Sequence, residues 1–176
     1  MITELATPVI TTTTLASHVV FVIFLFLYFT QTSFKEGTNQ FVKKYIDEII
    51  FLISFVALAG SLIYSNIVGF PPCELCWIQR IFMYPQTLIA AVSLWRKEKL
   101  AVYYALPLSI LGGLVALFQS LTDWGIGGSL LPCTAEGGAC SRVYVMEYGY
   151  VTIPVMALTT FAYLITVSWI YKKSLR

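Results

Sequence analysis

Apolar residues form five long runs along this 176-residue chain, and short polar segments separate them. A transmembrane helix needs about 20 consecutive, mostly apolar residues, and each run is about that long. The runs are Thr14–Thr32, Tyr45–Val68, Trp77–Trp95, Leu100–Leu121 and Gly149–Tyr171. The pattern therefore predicts an all-α membrane protein with five membrane-spanning helices.

Polar or helix-breaking residues mark each gap between the runs. The segment Phe34–Lys44 is polar, Pro71 and Pro72 cannot continue a helix, and Arg96–Lys99 is a charged turn. The longest gap, Asp123–Tyr148, is polar and rich in glycine. The first run could alternatively be the apolar part of a signal peptide. Because it lacks a basic start and a convincing cleavage site, we interpret it as a helix.

The composition argues against a soluble protein. The chain is 58% hydrophobic and only 11% charged, whereas a soluble domain carries about 25% charged residues. No internal repeat and no domain linker is evident, and the length suits one compact bundle. We expect membrane lipid rather than nucleic acid around this chain.

The basic residues predict the orientation, because cytoplasmic loops are enriched in Lys and Arg. With five spans, nine of the eleven basic residues fall on one side, and only Arg80 and Arg142 fall on the other. The nine are Lys35, Lys43, Lys44, Arg96, Lys97, Lys99, Lys172, Lys173 and Arg176. We therefore expect the N-terminus outside and the C-terminus in the cytoplasm. A four-span arrangement without the first run would leave every cysteine on the exterior side as well.

The four cysteines form two pairs on that exterior side, where disulfides persist. Cys73 and Cys76 form a CxxC at the start of the third run, and Cys133 and Cys140 lie in the glycine-rich segment. Such pairs form exchangeable disulfides, structural disulfides or metal sites. A zinc site is disfavoured because the only histidine, His18, lies in the first run. A two-residue loop closes little chain entropy, so a purely structural role is less favoured than a thiol relay.

Two polar residues follow the CxxC within the third run. Arg80 lies four residues after Cys76, one helical turn away on the same face. We expect the helix N-terminus and Arg80 to lower the pKa of the Cys76 thiol. Arg80, with Gln79 beside it, could also bind a ligand oxygen at the bilayer edge. The alternative is that Arg80 only extends to the membrane surface.

The residues from Cys73 to Pro85 read CELCWIQRIFMYP, and this stretch resembles the DsbB family of disulfide bond formation proteins. The resemblance covers about residues 45–171. It implies a four-helix membrane bundle that reoxidises a DsbA-like, thioredoxin-fold thiol oxidase and passes electrons to membrane quinone, either ubiquinone or menaquinone. By the same resemblance, Cys73 and Cys76 are the quinone-coupled pair, Cys76 is the sulfur nearest the quinone and Arg80 is the quinone-site arginine. Cys133 and Cys140 are the pair that exchanges with the soluble partner.

The first run has no counterpart in the family's four-helix pattern. We therefore predict a DsbB-like four-helix domain over residues 45–176. Residues 1–44 are expected to supply an exterior segment, an additional N-terminal transmembrane helix and a cytoplasmic loop. We expect that helix to be dispensable for thiol chemistry, because it carries no cysteine. In the vitamin K epoxide reductase family, which is similar, the loop pair precedes the CxxC. The opposite order here favours the DsbB type.

The predicted function is that of a quinone-dependent protein disulfide oxidoreductase of the cytoplasmic membrane. The expected catalytic residues are Cys73, Cys76, Cys133 and Cys140. Arg80 and Gln79 are the expected cofactor-binding residues, and no metal is expected. The alternative is a non-catalytic membrane scaffold that carries two structural disulfides.

Overall fold

The computed structural model of the protein describes residues 2–126 and 139–175. Five long helices account for most of these residues, which confirms the predicted all-α class. They are α1 (Ile2–Thr30), α2 (Thr32–Leu62), α3 (Glu74–Arg96), α4 (Ala101–Asp123) and α5 (Ile153–Ser174). Within the described residues, extended structure is limited to one isolated bridge between Glu147 and Val151.

In the described part of the chain, four stretches of helix are long and apolar enough to cross a bilayer, so the chain is a multi-pass membrane protein. They are Ala6–Thr30, Thr32–Ile67, Ala101–Asp123 and Ile153–Ser174. The sequence also predicted a membrane span over the third apolar run, Trp77–Trp95, which lies within α3. This helix has 23 residues but is more polar than the others. Its polar residues face neighbouring helices rather than lipid, since Gln79, Gln86, Thr87 and Ser93 are all buried.

The first helix begins twelve residues earlier than predicted, at Ile2 rather than Thr14. Each threonine from Thr11 to Thr14 donates its hydroxyl hydrogen to the carbonyl four residues before it, at 2.6–2.9 Å. These bonds satisfy the hydroxyl groups within the helix itself. The threonine run therefore belongs to α1 and does not precede it.

The polar segment Phe34–Lys44 is helical, so the prediction of a loop there was wrong. It forms the first part of α2, which then bends at Tyr45, where φ is −115° and ψ is 25°. Lysine, glutamate and glutamine are good helix formers even though they are too polar for lipid. The polarity of this segment therefore indicated where the apolar run ends, but not where the helix ends.

The helices α2, α3, α4 and α5 pack in a closed ring in which each contacts its two neighbours, while α1 lies outside and contacts α2. A buried apolar cluster joins them away from the cysteines; it contains Tyr28, Val42, Ile46, Ile50, Ala90, Ala101, Val102, Ala105, Leu164, Ile170 and Tyr171. α4 and α5 approach closely at Gly112. A Cβ atom at that position would overlap the buried Phe161 ring, so glycine permits this close approach.

Candidate functional site

The CxxC lies where α3 begins, directly after the prolines that follow α2. Cys73 is the N-cap of α3 with an extended backbone, and its Sγ accepts a hydrogen bond from the Cys76 N–H at 3.4 Å. Cys76 follows in the first turn, and the two Sγ atoms are 3.0 Å apart. The helix start thus holds both sulfurs in contact, in position to form or break a disulfide.

Cys140 reaches the same place from the other cysteine pair. It lies in a short 3₁₀ turn, Ala139–Ser141, and is only 1% exposed. Its side chain packs in one buried cluster with Cys73 and Leu75 and hydrogen-bonds to Cys73. The structure therefore brings three of the four predicted catalytic cysteines together. The fourth, Cys133, lies outside the described residues.

The electrostatics of the pair favour a thiolate on Cys73. A hydrogen bond from the Cys76 thiol lowers the pKa of the Cys73 thiol and outweighs burial, which raises it. The Cys76 N–H, Cys140 and Gln119 lower this pKa further. In the dithiol form these hydrogen bonds favour the thiolate on Cys73, whereas the sequence predicted it on Cys76. As the N-cap, Cys73 is the sulfur that accepts hydrogen bonds at the helix start.

Two buried glutamines from neighbouring helices hold the sulfurs. The Nε2 atom of Gln119, on α4, lies 3.3 Å from Cys73 Sγ and 3.7 Å from Cys76 Sγ. Its Oε1 atom accepts a hydrogen bond from Gln79 Nε2, on α3, at 2.7 Å. Gln79, predicted as a cofactor-binding residue, thus orients the amide that contacts the sulfurs.

Arg80 does not reach towards Cys76 as expected, but crosses to α2. Its Nε and Nη2 atoms donate to the hydroxyl and the carbonyl oxygen of Ser61, at 3.1 and 3.3 Å. Tyr84 donates to the same hydroxyl at 3.1 Å, and the guanidinium carbon lies 5.0 Å from the centre of the Trp77 ring. These contacts fix the plane of the guanidinium beside the CxxC.

A cavity of about 380 Å³ opens beside these residues, which is within the usual range for small-molecule pockets, about 300–1,000 Å³. Cys73, Cys76, Gln79 and Arg80 all line it. Along α2 and the helical turn that continues it, the lining extends from Leu52 to Ser65, and at 1.5 Å per residue this corresponds to about 20 Å. The end near the sulfurs carries amide and guanidinium side chains, whereas the far end is apolar along α2, where Leu52, Ile53 and Val56 line it. The shape suits a ligand with a polar head and a long apolar tail.

Tyr64 lines the polar end of this cavity and was missed from the sequence. It is 5% exposed and lies in a π-helical turn, Ile63–Ile67, that ends the second helix. Its ring stacks on Phe70, which stacks on Tyr144. Its hydroxyl has no hydrogen-bond partner among the described residues. Since buried polar groups are almost always hydrogen-bonded, this hydroxyl indicates a place for a ligand oxygen or a water. A π-helical turn often marks a functional site, but the sequence gives no sign of it.

Comparison with known proteins gives a consistent match over most of the chain. A family model described as Disulfide bond formation protein DsbB matches residues 44–171. Disulfide bond formation protein C of Bacillus subtilis is 36% identical over 124 residues, covering 68% of this chain and 90% of that protein. A probable disulfide formation protein of Deinococcus radiodurans is 35% identical over 130 residues, covering 69% and 85%. No solved structure matches. The family match begins within α2, so α1 lies outside it.

Proposed function

Because this chain belongs to the DsbB family of disulfide bond formation proteins, we propose that it is a quinone-dependent disulfide oxidoreductase. It reoxidises an extracytoplasmic, thioredoxin-fold thiol oxidase of the DsbA type and passes the electrons to membrane quinone. The observation that carries this proposal is the contact of Cys140 with Cys73, at the mouth of a cavity that Cys76 also lines. A purely structural pair of disulfides does not require the two cysteine pairs to meet.

The first step is exchange with the partner protein. A thiolate of the reduced partner attacks the Cys133–Cys140 disulfide and forms a mixed disulfide with one of these sulfurs. The second partner thiolate then breaks that bond. The partner leaves oxidised, and two electrons and the protons of the partner's thiols pass to the loop pair and the surrounding water.

The second step transfers the electrons to the CxxC. The Cys140 thiolate attacks Cys73 Sγ in the Cys73–Cys76 disulfide, which forms a Cys140–Cys73 bond and releases the Cys76 thiolate. The Cys133 thiolate then attacks Cys140 and releases Cys73. The burial of Cys140 against Cys73 supports this choice of attacked sulfur, because exchange requires direct contact between the sulfurs. Cys76 is thereby the sulfur released towards the cavity.

The cavity residues fit a quinone. Such a cofactor, when bound, accepts two electrons and two protons in its ring. Arg80 uses two of its five N–H donors on Ser61 and keeps others to orient a carbonyl oxygen. The Tyr64 hydroxyl supplies a second donor, and the apolar end, with Leu52, Ile53 and Val56, suits an isoprenoid tail. Gln79 serves this site through Gln119 and lines the same cavity.

In the membrane, α2 to α5 form the four-helix domain of residues 45–176, and α1 is an additional transmembrane helix. The N-terminus and the cysteines lie outside the cytoplasmic membrane, and the C-terminus lies in the cytoplasm. The distribution of Lys and Arg supports this orientation. α3 spans the membrane despite its polarity, because it packs between α2 and α4, which cover its polar side chains.

The proposal is tested with the purified full chain, a reduced thioredoxin-fold oxidase as donor and ubiquinone or menaquinone as acceptor. Wild type should form one partner disulfide for each quinone reduced. Cys140→Ser should lose this activity with the protein donor but keep quinone reduction with dithiothreitol, whereas Cys76→Ser should lose both. Partner oxidation without quinone reduction, or normal partner oxidation by Cys140→Ser, would contradict the proposed relay.

A further inference from the structure

The N-terminal helix α1 takes part in enclosing the cavity beside the CxxC. Four of its residues line that cavity, namely Ile10, Thr13, Thr14 and Ser17. Their spacing of three and four residues places them on one face of the helix. The rest of the lining comes from the matched part of the chain, so α1 adds a wall that lies outside the family match.

Side-chain hydrogen bonds hold α1 against α5 and the segment that precedes it. The two ring nitrogens of His18 lie 3.0 Å from the Tyr150 hydroxyl and 2.7 Å from the Thr159 hydroxyl. Tyr163 donates to the Ser17 hydroxyl at 2.8 Å. These polar contacts define both the rotation and the height of α1, because a shift of one residue would break all of them. The cavity face of α1 is therefore a defined surface.

The position of α1 decides what the cavity opens to. One long side of the cavity is formed by α2 and the π-helical turn after it, from Leu52 to Ser65, and another is formed by α5 from Ile153 to Tyr163. The residues Ile10–Ser17 lie across the space between these helices. Without α1, this side of the cavity would open directly to lipid.

We propose that α1 is the outer wall of the quinone cavity and that Thr14 is a positioning residue for the bound quinone. This inference rests on the proposed function and concerns the same cavity. It differs from the expectation that the helix is dispensable for thiol chemistry. A wall in this place limits the width of the quinone ring and tail that the protein accepts.

Thr14 permits a test with a matched control on the same helix. Thr14 is half-buried and lines the cavity, and its hydroxyl donates to the Ile10 carbonyl, four residues earlier. Thr30 makes the same kind of bond to the Phe26 carbonyl but is exposed and does not line the cavity. Thr14→Phe fills the cavity, whereas Thr30→Phe changes only the outer end of the helix.

We expect Thr14→Phe to raise the KM for ubiquinone about tenfold, the effect typical of overfilling a packed site. Binding is followed independently by the rise in Tm when ubiquinone is added to the purified protein. This rise should be present in wild type and Thr30→Phe and clearly smaller in Thr14→Phe at the same ubiquinone concentration. If wild type shows neither quinone reduction nor a rise in Tm, the proposed function fails and this inference fails with it. An active wild type with an unchanged Thr14→Phe overturns the inference alone.

A second measurement on the wild-type chain covers the case in which Thr14→Phe does not fold. A photoactivatable azidoquinone is bound and irradiated, and the tryptic peptide that ends at Lys35, which contains all of α1, is analysed by mass spectrometry. Labelling of this peptide that unlabelled ubiquinone suppresses is the expected result. Suppressible labelling confined to peptides from α2 to α5 would show that α1 is not a wall of the site.

Discussion

Replacing Cys76 by alanine or by serine separates two influences on the Cys73 thiolate. The hydrogen bond from the Cys76 thiol is the largest cause of the lowered Cys73 pKa. A serine hydroxyl still donates such a bond, whereas an alanine methyl group does not. A hydrogen bond to a charged group contributes about 1.5–3 kcal/mol, and about 1.4 kcal/mol corresponds to one pKa unit. Cys76→Ala should therefore raise the Cys73 pKa by about 1–2 units above its value in Cys76→Ser.

The assay is the rate at which Cys73 reacts with iodoacetamide as a function of pH, followed by mass spectrometry of the peptide that contains Cys73. All cysteines are first reduced with a phosphine, so that a disulfide to Cys140 does not block the alkylation of Cys73. The midpoint of the rate curve reports the pKa, because the thiolate is the reactive form. Gln119→Leu in the wild-type background serves as a graded control, since Gln119 is a weaker cause of the same lowering. Superimposable curves for Cys76→Ala and Cys76→Ser would refute the argument that a donor at position 76 stabilises the thiolate.

Three further substitutions test other parts of the structure. Tyr64→Phe should raise the KM for quinone about twofold to tenfold, as expected for the loss of one neutral hydrogen bond. It should not lower Tm, because the Tyr64 hydroxyl has no partner among the described residues. An unchanged KM would show that Tyr64 is not part of the quinone site. Arg80→Lys should raise the KM for quinone about tenfold to a hundredfold, because lysine lacks the planar guanidinium group. An unaltered KM in both Arg80→Lys and Arg80→Ala would indicate that Arg80 only anchors the helix at the membrane surface. Gly112→Ala should destabilise the fold by about 1–3 kcal/mol, because the added Cβ would meet the Phe161 ring. Thermal unfolding measures this loss of stability. Gly37→Ala is the control, because a Cβ there meets nothing within 4 Å.

The contact between Cys140 and Cys73 bears directly on the proposed relay. Cys140 is buried against the start of α3, so in that relay its sulfur already lies beside the CxxC that it would reduce. The Cys76 N–H and Gln119 lower the pKa of the Cys73 thiol, which favours the release of Cys73 when the proposed Cys140–Cys73 bond is resolved. The direction of the electrons still depends on the potentials of the partner and the quinone.

Local properties of the chain determined the helical membrane class and part of the site. An apolar run of membrane length has few alternatives to a helix, because lipid leaves the backbone no other hydrogen-bond partners. The CxxC spacing likewise placed Cys73 and Cys76 together at a helix start, and Arg80 one turn further on. These features depend on residues within a few positions of one another. The same local reasoning was wrong for the segment Phe34–Lys44, since polarity reports contact with lipid rather than helix formation.

The tertiary structure decided which distant residues meet. Cys140 contacts Cys73 across 67 positions of sequence, and Gln119 reaches the same sulfur across 46. No local spacing specifies such pairs, because they depend on how α3, α4 and the turn before α5 pack. The unpartnered hydroxyl of Tyr64 arises from a π-helical turn that its residue types do not reveal. The position of α1 along the cavity is likewise defined by bonds from Ser17 and His18 to α5. The sequence of an apolar helix does not specify which side of a cavity the helix will cover.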